Sequence, residues 1–316
     1  MRTTTLGKNG PVVSRLGLGT MGMSFGYDPH GWDDDASLQV IHKALDLGVT
    51  LIDTADAYGP FTNEQLVGRA LAGRRDQAVL STKGGLVVDE NGLGLNGSPE
   101  HLKSAVDASL ERLGVDHIDL YFLHRVDPNV PLEESWGALG EQVAAGKIRA
   151  LGLSAVTVDQ VKAAQAVHPV AAVQSEASLF TRDAFADVIP FTKEQGIAFM
   201  PFSPLGRGLL TGSFAKPSDL PKDDWRSTQP RFTEEAFLHN KAIVDVVRGI
   251  AERHDATPAQ VALAWLIAQG EYVIPIPGTK NESRLVQNAG AAAVELTAAD
   301  LTELDALPAP MGEPEA

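Results

Sequence analysis

The sequence contains no cysteine, which rules out disulfides and thiolate-ligated metal sites. It also has no apolar stretch approaching the roughly 20 residues of a membrane helix. Its start, MRTTTLGKNGPVV, lacks the apolar core of a signal peptide. These absences lead to the expectation of a cytoplasmic protein with no membrane partner. Positive charge is scarce, with 26 Lys and Arg against 41 Asp and Glu and a formal net charge of −15. Such a balance disfavours binding to nucleic acid or an anionic membrane, so any anionic ligand must be held by a local basic cluster. No linker, repeat or low-complexity break interrupts the chain, which argues for a single domain over 1–316. Only the acidic, Pro-rich end at 308–316 is expected to be flexible.

What the chain does have is alternation. Short runs rich in Val, Ile and Leu recur as RLGLGT (15–20), TLID (50–53), AVLSTK (78–83), IDLYFLH (118–124), IRALGLS (148–154), VAAVQS (170–175), IAFMPFS (197–203) and YVIPIPG (272–278). Each is followed by a longer segment, several with readable helix ends. Ser98 can cap and Pro99 fits the first helical position, Leu102, Val106, Leu110 and Leu113 share one face, and Gly114 stops the helix. Thr257, Pro258 and Gly270 repeat that grammar. Eight strands alternating with helices predict an α/β fold, a (β/α)8 TIM barrel. Asn9-Gly10 between two short extended runs predicts a β-hairpin at the bottom of the barrel. Residues 212–236 form a long polar insertion after the seventh strand, where loops commonly cover a site.

One motif misleads. GLGTMG, Gly17 to Gly22, fits the G-x-G-x-x-G dinucleotide fingerprint, but that fingerprint needs a helix to begin at the glycines. The following MSFGYDPHGW contains Gly26, Pro29 and Gly31 and cannot start one. The glycines are better suited to close backbone approach to a ligand or turn.

Polar residues cluster at one end of the apolar runs: Asp53, Lys83, His124, Ser154, Gln174 and Ser203, with Gly278 closing the last. In a (β/α)8 barrel these C-terminal ends share the face where active sites sit. Tyr58 lies five residues beyond Asp53. Its phenol, with a reference pKa of about 10, is a poor donor near neutrality unless the phenolate is stabilised. Lys83 can supply that positive charge, Asp53 can hold the ammonium, and His124 offers a second donor to a carbonyl oxygen. Singly, each has a plain structural reading, and Asp56 is read as a turn or capping residue. Four such groups on one barrel rim point to chemistry. A metal-dependent hydrolase would need clustered His and acids, yet of eight His only His124 sits at a strand end, so no metal is expected.

With LIDTADAYG, LSTKGG and IDLYFLHRVD in this order, the chain resembles the aldo-keto reductase superfamily, in its bacterial and plant general-reductase form. The resemblance implies a tetrad of Asp53, Tyr58, Lys83 and His124, with Tyr58 as proton donor. It also implies an NADPH cofactor, bound extended without a Rossmann domain, and a small aldehyde or ketone substrate. By the same resemblance Gly19, Thr20 and Met21 lie beside the nicotinamide ribose, and Ser154 and Gln174 at the carboxamide. The family often has Asn where this chain has Ala155. PFSPLGRGLLTG is similar to the segment that stacks a ring, here Phe202, on the nicotinamide and follows the pyrophosphate with Ser203, Leu205 and Arg207. IPGTKNESRLVQN resembles the 2′-phosphate and adenine segment, with Gly278, Thr279, Lys280 and Arg284 toward the phosphate and Gln287 and Asn288 toward the adenine. Phe25, Tyr27 and Trp32, with Trp225 and Phe232 of the insertion, are expected to wall an open pocket for small, including aromatic, aldehydes. Some superfamily members instead bind NADPH as sensing subunits of a channel. The tetrad does not separate that role from reduction, but a long N-terminal gating segment is missing ahead of the barrel. Oligomeric state is not readable from these residues.

Overall fold

Seven of the eight expected strands form as regular strands, and the eighth segment closes the ring without becoming one. The computed structural model describes residues 1–8, 10–89 and 92–312. In chain order the strands are β1 (Thr3–Thr5), β2 (Val12–Ser14), β3 (Leu18–Gly19), β4 (Leu51–Asp53), β5 (Val79–Gly84), β6 (Leu86–Asp89), β7 (Gly92–Leu95), β8 (Ile118–Leu123), β9 (Ile148–Ser154), β10 (Ala172–Glu176) and β11 (Ala198–Phe202). β3, β4, β5, β8, β9, β10 and β11 form one parallel sheet in that order, while β1–β2 and β6–β7 are antiparallel hairpins. The chain is therefore the expected barrel of alternating strands and helices. Asn9, half of the expected hairpin turn, lies outside the described residues; the strands it joins pair with Thr5 opposite Val12.

Residues 272–278 show why the last strand is irregular. Ile274 and Ile276 donate their N–H groups to Phe199 and Pro201 of β11, at 2.9 and 3.1 Å. On the other side the carbonyls of Pro275 and Pro277 accept from Gly17 and Gly19, at 2.9 and 3.2 Å. Those two prolines have no N–H to return, so only half of a ladder can form toward β3. The ring still closes, as bridges from Gly19 to Gly278 and from Phe199 to Val273 record.

The barrel is filled rather than hollow. Leu51, Leu120, Phe122, Ala172, Ala198, Met200, Ile274 and Ile276 make an interior cluster, joined at one end by Leu6 and Val13 of the β1–β2 hairpin. The hairpin thus plugs the bottom, opposite the polar strand ends. Along β8 the pleat sends Leu120 and Phe122 inward and Tyr121 and Leu123 outward to the helices, so the whole strand reads as apolar. Position 152 must be glycine: a Cβ there would lie 2.3 Å from the Phe122 ring.

The helices are α1 (Asp34–Asp46), α2 (Thr62–Leu71), α3 (Pro99–Leu113), α4 (Leu132–Ala144), α5 (Val158–Val167), α6 (Val188–Gln195), α7 (Glu234–Arg253), α8 (Pro258–Ala268), α9 (Glu282–Gly290) and α10 (Ala298–Asp305). Local chemistry sets their ends as expected. Ser98 caps α3 by accepting from His101 N, Gly114 leaves it at a φ of 65°, and Thr257 and Gln260 make a capping box on α8. Leu102, Val106 and Leu113 of α3 are buried, each worth about 1.5–3 kcal/mol relative to exposure, while Leu110 packs at the edge of the same core. The insertion folds into 3-10 turns at Pro217–Asp219, Trp225–Thr228 and Pro230–Phe232. In the C-terminal segment, Ala309 O accepts from His239, Met311 is joined to Asn240 in both directions, and Gly312 O accepts from Arg231.

Candidate active site

The strand ends deliver their side chains from a backbone that is paired on both sides. Asp53 ends β4 directly opposite Ser81, and Lys83 stands opposite Phe122. The ladder runs past the last residues: Thr54 N donates to Ser81 O, Asp56 N to Lys83 O and His124 N to Gly84 O. These bonds hold Asp53, Lys83 and His124 on one rim, and a turn in which Phe61 N bonds Asp56 O brings Tyr58 over it.

There the four predicted residues converge. Lys83 Nζ donates to Asp53 Oδ2 at 2.6 Å, to Thr54 O at 2.8 Å and to the Tyr58 hydroxyl at 3.4 Å. The second oxygen of Asp53 accepts from Ser81 Oγ at 2.6 Å and from Gln174 Nε2 at 3.1 Å. The His124 ring stands edge-on to Tyr58, with centroids 5.8 Å apart at 84°. Its Nδ1 is buried without a protein partner. Burial works to deprotonate Lys83, but the Asp53 carboxylate and the Tyr58 oxygen outweigh it and hold the ammonium charged. Burial raises the Tyr58 phenol above its ordinary value, although Lys83 pulls the other way, so the resting phenol is protonated. Burial, then the charges of Lys83 and Arg125, push His124 well below its usual range and keep the imidazole neutral.

Asp56 is more than a turn residue. Its carboxyl is buried with Oδ1 unpartnered, and burial, with Glu64 adding to it, pushes its pKa up to about 7. Glu64 itself is held by Thr82 and Arg112, each at 2.6 Å. One guanidinium thus faces two buried acids.

The residues assigned to a cofactor occupy one arc of the rim. Thr20 is fully buried and tied to Asp53 O and to Asn63, at 2.9 and 2.6 Å, while Met21 opens the short turn after it. Ser154 Oγ meets Arg125, and Gln174 meets Asp53. Ala155 has a φ of 53°, a left-handed backbone that Asn tolerates better than Ala, which gives a physical reason for the Asn that the family resemblance leads one to expect there. From β11 onward Ser203, Gly206, Arg207 and Gly208 are also left-handed, with φ of 49°, 57°, 56° and 100°. With half-buried Phe202 and Leu205 they turn the backbone sharply after β11, and at Gly19, on the far side of the 272–278 segment, a Cβ would sit 3.0 Å from Ile276 O. Arg207 is already paired with Glu176 at 3.2 Å and stacked on Trp225 at 4.7 Å. Beyond exposed Gly278, Thr279 bonds the start of α9, whose N-cap is Asn281. Lys280 pairs with Asp28 at 2.9 Å; Arg284 and Gln287 are exposed and Asn288 is buried. A left-handed backbone cradle, buried amide and hydroxyl donors, and a helix start carrying Lys280 and Arg284 form a donor set that fits an extended nicotinamide dinucleotide phosphate.

Of the expected pocket walls, Phe25 stacks on Tyr58 with centroids 6.2 Å apart, and Tyr27 and Trp225 lie 6.2 Å apart. Trp32 is 41% exposed and hangs from Tyr27 O by its indole N–H. Phe232 does not join them: it is buried against Phe237, because the turn at 230–232 points it into the core. The sequence reading missed Arg125, Ser81, Asn63 and the Asp224–Arg226 pair. A basic residue directly after His124, in HRVD, was the available signal for the first.

Comparison with known proteins identifies the family and the fold. A family model described as the aldo/keto reductase family matches residues 15–309. Probable aldo-keto reductase 1 of Glycine max is 43% identical over 303 residues, covering 95% of this chain and 86% of that protein. The glycerol dehydrogenase AKR11B4 from Gluconobacter oxydans superposes with a TM-score of 0.86 at 33% identity, covering 96% of this chain and 94% of that one. An aldo/keto reductase from Klebsiella pneumoniae, solved in complex with NADP and acetate, superposes with a TM-score of 0.76 at 26% identity, covering 96% and 95%.

Proposed function

The chain belongs to the aldo/keto reductase family and is an oxidoreductase that uses NADP(H), and from that premise we propose that it reduces small aldehydes and ketones with Tyr58 as the proton donor. The observation that carries the proposal is Lys83 Nζ, which bonds Asp53 and the Tyr58 hydroxyl together while the His124 ring stands edge-on to the Tyr58 ring.

When bound, NADPH supplies the hydride. The chain's residues supply the rest. Ser154 and Gln174 with Phe202 orient the nicotinamide end, and the 203–208 backbone, Lys280 and Arg284 hold the phosphates. The substrate oxygen is placed between the Tyr58 hydroxyl and neutral His124, which polarise the carbonyl by donating to it. As negative charge develops on that oxygen, Tyr58 passes its proton across, and the phenolate left behind faces the Lys83 ammonium 3.4 Å away. Asp53, fixed by Ser81 and Gln174, keeps that ammonium charged and aimed. Phe25 and Tyr27 wall the entrance with aromatic surface, which suits small aromatic as well as aliphatic carbonyl compounds.

The test follows absorbance at 340 nm with NADPH, and separately NADH, against aliphatic, aromatic and dicarbonyl compounds. Substrate-dependent loss with NADPH is expected. Tight NADPH binding with no carbonyl reduced would contradict the proposal and favour a sensing role.

A further inference from the structure

We propose that Arg125 is a specificity-determining residue that gives this site a preference for carbonyl substrates carrying a carboxylate. The inference rests on the reductase reading above and names a substrate class for it.

Arg125 follows His124 directly, so the strand that places the imidazole also places the guanidinium on the rim. Its Nη1 donates to His124 O at 2.8 Å and to Ser154 Oγ at 3.2 Å. Its Nε and Nη2 make no hydrogen bond among the described residues, and no ion pair reaches it. That sets it apart from the other arginines buried around the barrel: Arg75 has Asp119, Arg112 has Glu64, Arg207 and Arg231 share Glu176, and Arg226 has Asp224. Arg15 and Arg182 also lack an ion pair, but each spends its guanidinium on two or more backbone carbonyls. Asp127, the nearest acid in sequence, faces elsewhere and accepts from Gly97 N and Asn129 N.

The charge balance of the rim points the same way. Lys83 and Asp53 cancel, and His124 is neutral, which leaves Arg125 as the net charge beside the reacting oxygen. It lies close enough to Tyr58 and His124 to act electrostatically on both. A protein of net charge −15 repels anions at long range, so a half-buried, unpaired cation at the site gives an anionic substrate a local well. A guanidinium with two free donors matches a carboxylate in geometry as well as charge.

The experiment compares 4-oxobutanoate with butanal, two aldehydes of the same chain length that differ in the terminal carboxylate, in the wild type, Arg125→Gln and Arg125→Lys, all with NADPH. The ratio of kcat/KM for 4-oxobutanoate to that for butanal is expected to fall about 10- to 100-fold in Arg125→Gln and to recover in part in Arg125→Lys, with NADPH Kd within about twofold. A ratio that changes less than about threefold overturns the proposal. So does an equal fall for both substrates with weakened NADPH binding, which would place Arg125 on the cofactor. Calorimetric titration of butanoate into the NADP+-loaded protein reads the same contact without turnover. Arg125→Gln should weaken that binding at least about tenfold, and unchanged binding overturns the proposal. If neither aldehyde is reduced, it is the reductase reading that fails, and the butanoate titration still decides the role of Arg125.

Discussion

At the strand ends, Lys83 and Asp53 are 1% and 4% exposed and are held by a backbone already bonded to its neighbours on both sides. In the loops above, the order comes from side chains. Asp224 bonds Arg226 through both oxygens at 2.9 and 2.8 Å and reaches across to Asp28 N at 2.9 Å. Arg226 in turn bonds Arg207 O and stacks on Tyr27 at 4.7 Å. Asp53, Lys83 and His124 sit on or directly after ordinary strand backbone, whereas the cofactor arc and the loops need left-handed residues at Ala155, Ser203 and Arg207 and at Asp28 and Asp223. The difference teaches where each part is vulnerable. A change at the rim is felt through the barrel, while a change in the loops acts first on the side-chain contacts that hold the layer above it.

The largest effect should come from Asp53→Asn. It leaves the Lys83 ammonium buried without its counter-charge, and removing one partner of a buried pair costs about 3–5 kcal/mol. The denaturation midpoint should fall accordingly, with activity lost at the same time; a loss under about 1 kcal/mol would break the claim that the pair is set by the barrel. Arg226→Met should cost less, about 1–3 kcal/mol, because the buried Asp224 carboxylate loses its counter-charge but keeps the backbone N–H groups of Asp28 and residue 226 as donors. That variant should raise KM more than it lowers kcat and should speed proteolytic nicking within 215–232. Equal destabilisation of the two variants would erase the distinction between rim and loops.

The rim was legible in the sequence because strand ends obey short-range rules. Apolar runs fix where a strand stops, and a polar residue at each stop needs only the barrel to bring it to its neighbours. The caps at Ser98 and Thr257 were readable for the same reason. The incomplete eighth strand follows from Pro275 and Pro277, which sit inside an apolar run of strand character but lack the N–H groups a ladder needs. Less legible were the contacts that cross long stretches of chain. Gln174 turns to Asp53, 121 residues away, and Lys280 pairs with Asp28, 252 residues away in the chain. Arg207 is engaged by Glu176. Phe232 shares its aromatic character with the pocket rings, but the turn at 230–232 sends it into the core, and composition carries no sign of that direction.

The proposed reduction depends on Tyr58 giving up its proton beside Lys83, and the measurement that reaches this step most directly is single-turnover reduction of an aldehyde by Tyr58→Phe, with NADPH affinity measured on the same protein. A fall in rate of about 10²–10⁴-fold with NADPH Kd unchanged within about twofold is the predicted result, since one donor proton is removed and the cofactor's contacts are left in place. A Tyr58→Phe protein that reduces aldehydes within a few-fold of the wild-type rate would contradict it.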